Sequence, residues 1–231
     1  MLLMVLFISA GIYAQLVNDP NAEVRQAKGY NGINVSSSFD VYLSQSNEEA
    51  VAVSAADSKY RERIKVEVKD GILYISYNSE SKMSWGSSNK KLKAYISFKQ
   101  IDKLNVSGAC DVYISGILKA ENLSIHQSGA SDIKGKLEVN KLTVNLSGAS
   151  DITITGTTIQ LSIEASGASD FKGFDLVSDI CDARASGASD IKITVNKELS
   201  AHASGASDVR YKGNGVMRDI KSSGASSVSR G

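Results

Sequence analysis

Six aspartates recur at one position of a repeated pentapeptide: Asp111, Asp132, Asp151, Asp170, Asp190 and Asp208. Five of them close a Ser-Gly-Ala-Ser-Asp run that begins at Ser128, Ser147, Ser166, Ser186 or Ser204. Asp111 closes a variant with cysteine, Ser107-Gly108-Ala109-Cys110, and a last copy beginning at Ser223 ends in Ser227. If the copies stack, the carboxylates form a row spaced about 5 Å apart. Neighbouring like charges at that distance repel by roughly 1 kcal/mol in water, so something must offset them. Three arrangements could do so. Backbone N–H groups or serine hydroxyls could donate to each carboxylate, as in Asx turns. Calcium could bind along the row. A basic row could run beside it. The residue two places after each Asp, on the same strand face, is Lys134, Lys172, Lys192 or Arg210, and only Tyr113 and Thr153 interrupt this series. The sequence therefore favours paired charge ladders together with turn hydrogen bonds. The calcium reading ranks behind them, because calcium solenoids of the RTX kind use a different Gly- and Asp-rich nonapeptide.

No catalytic residue is expected. A nucleophilic serine needs an adjacent base, and the two histidines, His126 and His202, hold the same outward position four copies apart. At the stacking distance of a sheet they are nearly 20 Å apart, too far for a two-histidine metal site. The turn serines are read as partners of backbone groups. Cys181 stands where other copies carry Leu123, Leu142, Leu161 and Leu199, and so reads as a small buried hydrophobe. Cys110 takes the place of the second turn serine, three copies from Cys181, beyond disulfide reach. Met83 and Trp85, in the polar stretch 79–90, are the candidate exposed ligand contacts.

These residues need elements that repeat as they do. Successive copies start 21, 19, 19, 20, 18 and 19 residues apart, too short to fold alone, so each must stack on its neighbours. Between turns the apolar residues alternate, as in Leu142, Val144, Leu146 before one turn and Ile152, Ile154 after it. Period two is the signature of strands with one buried face. The expected fold is all-β, a right-handed parallel β-helix or β-solenoid of coils about 19 residues long. The turn glycine supplies a positive φ or a close backbone approach, and the alanine after it is expected to tuck under the corner. An eroded copy at residues 36–40 is suggested because Phe39-Asp40-Val41-Tyr42-Leu43 parallels Cys110-Asp111-Val112-Tyr113-Ile114. Residues 30–105 read as wider, less regular coils or a sandwich-like start, and 106–227 as the regular repeat, in one domain covering 30–231.

The chain has 231 residues, with 26 Lys+Arg against 25 Asp+Glu. That balance gives no basic excess for nucleic acid, so no nucleic-acid partner is expected. Residues 1–14 form an apolar run too short to span a bilayer and resemble the apolar region of a secretory signal cleaved after Ala14. Residues 15–29 are expected to form an extended lead-in, no transmembrane segment is expected in the mature chain, and the protein is expected in the periplasm, on the outer-membrane surface or secreted.

With the repeat and the signal-like start in view, the chain resembles the bacterial auto-transporter adhesin, head GIN domain family. The resemblance rests on Gly32-Ile33-Asn34-Val35, Phe39-Asp40-Val41-Tyr42-Leu43, Asp70-Gly71-Ile72-Leu73-Tyr74-Ile75 and Leu104-Asn105-Val106-Ser107-Gly108-Ala109, and continues through the Ser-Gly-Ala-Ser-Asp turns over roughly residues 28–227. It implies an envelope or secreted β-helix with no established enzymatic activity. No long membrane-barrel sequence follows, so a complete autotransporter is not expected. The expected role is non-enzymatic, a rigid β-surface for adhesion to a glycan or protein ligand, without a cofactor. The alternatives are a polysaccharide lyase or hydrolase on a β-helix, and a purely structural envelope protein. The C-terminal copy shows no cap, so coverage of its open edge is expected from a second subunit or the N-terminal segment.

Overall fold

An alternating sequence that returns to the same turn every 19 residues or so can bury its apolar face only by closing each copy into a coil on top of the last. The computed structural model describes residues 19–79 and 90–231. The signal-like residues 1–14, Met83 and Trp85 lie outside the described residues. The regular coils are β9 (Asp111–Gln127), β10 (Asp132–Leu146), β11 (Asp151–Ala165), β12 (Asp170–Ala185) and β13 (Asp190–Gly205). They continue into β14 (Asp208–Lys212), β15 (Val216–Gly224) and β16 (Ser227–Arg230). All pair in parallel, and the register runs Asp111, Asp132, Asp151, Asp170, Asp190, Asp208, Ser227 without a slip. The chain is a parallel β-solenoid.

The interior is a set of columns. Val112, Ile133, Ile152, Phe171, Ile191 and Val209 make one, and Leu123, Leu142, Leu161, Cys181 and Leu199 another, all buried. Cys181 thus takes a leucine's place, and burial pushes its thiol up, away from ionisation. Where Phe171 brings a larger ring into its column, Gly173 leaves the space free: a Cβ there would meet the Phe171 ring at 2.3 Å. Constant volume per coil is what close packing demands. Both cysteines are free and buried.

The turn departs from expectation in one respect. Ala109, Ala130 and Ala149 are exposed, while the following residue, Cys110, Ser131 or Ser150, is fully buried. The inward position faces the carbonyl three residues earlier, which needs a donor that alanine lacks. The Ser150, Ser169 and Ser189 hydroxyls donate to the carbonyls of Ser147, Ser166 and Ser186 at 2.9 Å, and the Cys110 thiol donates to Ser107 at 3.4 Å. The turn glycines have φ between +77° and +88°. They also lie directly against the coil before them. A Cβ on Gly167 would sit 2.5 Å from the carbonyl oxygen of Gly148.

The N-terminal half extends the stack and then closes it. Strands β2 (Gly32–Val35) and β3 (Asp40–Gln45) form a coil in register with β8 (Lys103–Val106) and the start of β9, so residues 36–40 are the eroded copy. Strands β6 (Ile72–Tyr77) and β7 (Lys93–Phe98) lie on β2 and β3. Beyond them the pairing changes sign. Strand β5 (Ile64–Lys69) runs antiparallel to β6, β4 (Ala50–Ser54) to β7, and β1 (Glu23–Arg25) to β4, with the one-turn helix α1 (Ser58–Arg61) between β4 and β5. The less regular half therefore consists of parallel coils with antiparallel strands added at their end. At the opposite end, Val216, Met217 and Ile220 are exposed on β15. The described part of the lead-in does not cover them, because β1 belongs to the far end of the sheet.

The turn geometry makes a comparative prediction. Gly116 has φ +76°, and a Cβ added there would meet nothing within 4 Å, so Gly116→Ala should cost only left-handed strain, about 1–2 kcal/mol. Gly167→Ala adds the collision with Gly148 and should lower the melting temperature at least twice as far. Equal losses would contradict a close approach at the turn.

Candidate functional site

The aspartate row forms as the spacing requires, and its charge is offset unevenly. The Lys172 Nζ lies 2.6 Å from Asp151 and 3.5 Å from Asp170, bridging two coils. The hydrogen bond to Asp151 holds the Lys172 ammonium above its ordinary pKa. Arg210 pairs with Asp208 at 3.3 Å and Lys134 with Asp132 at 3.9 Å. Lys192 makes no ion pair among the described residues. The second serine of each turn does not serve the carboxylates, because its hydroxyl points inward to a backbone carbonyl. At the end of the row Ser227 takes the aspartate's place, and its hydroxyl donates to Asp208 at 2.7 Å and holds that carboxyl below its usual range. Along the row each carboxylate stands on its own coil, and among the described residues no three His, Cys, Asp or Glu side chains converge as a metal site.

A different run of residues forms a concavity. Just before each turn the outward position is Asn34, Asn105, His126, Asn145, Glu164 and Arg184 in successive coils, in unbroken register. The first turn residues Ser107, Ser128, Ser147, Ser166 and Ser186 stand opposite. Between the two rows runs a groove of about 600 Å³. Its floor is the chain at Val106, Gln127, Leu146 and Ala165, whose side chains turn inward. The groove is lined with hydroxyl and amide groups at one end and by the opposite charges of Glu164 and Arg184 at the other. The guanidinium of Arg184 is held up first by its hydrogen bond to Asp182. His126 accepts or donates to Ser124 at 3.2 Å, and His202 meets Asp219 at 2.8 Å, so the histidines belong to local pairs four coils apart.

Chemically, the groove can hold an extended polar chain laid across the coils, with one hydrogen-bonding side chain and one hydroxyl per step of about 4.8 Å. The sequence marked the histidines of this row but not the row itself. Its one signal was the polar residue two places before the first serine of each turn, which alternation alone assigns to the wet face.

A family profile described as "Putative auto-transporter adhesin, head GIN domain" matches residues 29–215. Solved structures share the fold. A "putative adhesin" from Bacteroides fragilis aligns at TM-score 0.83 with 23% identity, over 90% of this chain and 95% of that one. A "putative adhesin" from Parabacteroides merdae gives 0.70 at 16%, over 91% and 95%. A "putative lipid binding protein" from Parabacteroides distasonis gives 0.66 at 21%, over 92% and 98%. No curated protein matches the chain.

The uneven charge pairing is testable by substitution. Lys172→Ala should destabilise by about 0.5 kcal/mol at low salt, the scale of an exposed ion pair, and the loss should disappear at high ionic strength. Lys192→Ala should leave thermal unfolding unchanged. Equal effects, or no salt dependence for Lys172→Ala, would contradict the bridge between Asp151, Lys172 and Asp170.

Proposed function

Because the chain belongs to the auto-transporter adhesin, head GIN domain family, we propose that it is a non-enzymatic, exported adhesin head that holds an extended glycan along the groove beside its turns. The observation that carries this reading is the groove itself, with Asn105, Asn145, Glu164 and Arg184 facing a line of serine hydroxyls. The coil repeat of about 4.8 Å is close to the length that one sugar unit adds to an extended glycan, so a register of side chains can meet a register of hydroxyls. Neutral polymers rich in hydroxyls suit amide and hydroxyl partners, which donate and accept equally. The distribution of carboxylates supports binding over cleavage, because a glycosidase brings two of them to opposite sides of one bond, whereas here they recur singly, coil by coil. The apolar residues 1–14 support export to the envelope.

Incubating the purified protein with a panel of soluble polysaccharides, with calcium present, tests the reading by scoring retention and chain length together. Retention without shortening is expected for at least one polymer, and Arg184→Ala should weaken it about tenfold, the loss of one charge-assisted hydrogen bond. Shortening of the polymer would overturn the non-enzymatic assignment. Absence of retention across the panel would overturn the glycan assignment and leave a protein partner or a structural role.

A further inference from the structure

A second concavity lies away from the groove, where the parallel stack meets its antiparallel closure. Tyr113, Tyr42 and Tyr95 occupy one outward row on β9, β3 and β7. Their rings stack, with centroids 5.5 Å apart between Tyr113 and Tyr42 and 5.1 Å between Tyr42 and Tyr95, the latter pair inclined by only 13°. Tyr42 has a ring on both sides. Tyr95 has one on a single side, because the next position in the row is Ala52 on β4, whose side chain ends at Cβ. The adjacent outward row ends in the same way, running Ser115, Ser44, Ser97 and then Ala50. The two alanines leave a cleft of about 660 Å³ between the tyrosine stack and the segment holding Asp19, Ala22 and Val24.

The cleft has a defined polar edge. The Tyr95 hydroxyl donates to Asp19 Oδ2 at 2.9 Å, and the backbone N–H of Asn21 donates to Asp19 Oδ1 at 3.0 Å, which fixes the carboxylate at the cleft. The Ser46 and Ser97 hydroxyls bond each other at 2.8 Å, and both line the cleft. The walls therefore combine an aromatic ring, small apolar residues and acceptor oxygens. An aromatic ring whose stack breaks off at an alanine suits a flat ligand of similar width, and aromatic contacts of this kind carry energy beyond simple burial. Acceptor oxygens at the rim select a ligand whose edge donates hydrogen bonds.

We propose that this cleft binds a single pyranose ring, its C–H face against Tyr95 above Ala52 and its hydroxyls donating to Asp19, Ser46 and Ser97. The site is separate from the turn groove, and its occupation does not depend on the groove reading.

Saturation-transfer NMR on the full chain with a panel of methyl glycosides, and phenol as an aromatic control, tests the proposal. Transfer to the ring protons of at least one glycoside is expected. Two variants localise it. Tyr95→Ala removes the platform, and Ala52→Tyr fills the cleft while leaving the tyrosine stack intact, so binding should weaken about tenfold or more in each. Arg184→Ala, which alters the groove alone, should leave glycoside transfer unchanged. Transfer to no glycoside would overturn the proposal, as would glycoside transfer that survives Ala52→Tyr. Transfer to phenol alone, lost in Ala52→Tyr, would overturn it in favour of an aromatic ligand.

Discussion

The structure depends on one hydrogen bond repeated from coil to coil of the regular stack, from the alanine N–H of one turn to the glycine carbonyl of the turn before, with Ser37 in the glycine's place beneath Ala109. The N–O distances are 2.7 Å for Ala130 to Gly108 and 2.8 Å for Ala149 to Gly129, Ala168 to Gly148 and Ala188 to Gly167. Such a bond across a corner is feasible only if the corner backbones nearly touch. That excludes a Cβ at the glycine and requires its positive φ. The parallel ladder therefore passes through the turn unbroken. Register is set there, and a one-residue slip would expose every inward side chain.

Locked register turns single residues into columns. The aspartates, the leucines around Cys181 and the polar row from Asn105 to Arg184 are each one position read several times. The register does shift elsewhere, between Lys134 and Lys136, between Thr153 and Gly156, and between Gly173 and Val177. Those irregularities lie in the middle of each coil, away from the turn. The proposed groove occupies the stretch before the turn, where pairing from Leu142 to Leu146 is continuous with the coils on both sides. A surface meant to meet a repeating ligand is best built where the repeat is least disturbed. The tyrosine stack is the reverse case. It sits where parallel pairing gives way to antiparallel strands, and its open face exists because β4 supplies alanines rather than another ring.

Much of this was legible in the sequence, for physical reasons. A pentapeptide that returns at near-constant spacing fixes its own register, so the aspartate row and the leucine-like place of Cys181 followed directly. The parallel between Phe39–Leu43 and the start of β9 likewise placed Tyr42 on Tyr113. The inward and outward phase of the turn did not follow, because two small residues, alanine and serine, both fit a tight corner. A carbonyl lacking a donor decides between them, and that appears only in three dimensions. Tyr95 was hidden because β7 enters the row after the long excursion through β4, β5 and β6. The groove was hidden because concavity depends on how strands meet at the turn, which periodicity does not encode. The paired charge ladders were half legible: residue spacing puts Lys172 and Lys192 in equivalent places, while side-chain rotamers give a bridge to one and none to the other.

Native-state hydrogen exchange of the turn amides tests the central claim most directly. If the glycine–alanine bond holds the register, the amides of Ala130, Ala149, Ala168 and Ala188 should exchange only through global unfolding, with the same denaturant dependence as strand amides such as that of Ile152. Exchange of those alanine amides through local opening, while the strand amides stay protected, would show that the strands hold the stack and the turns merely follow.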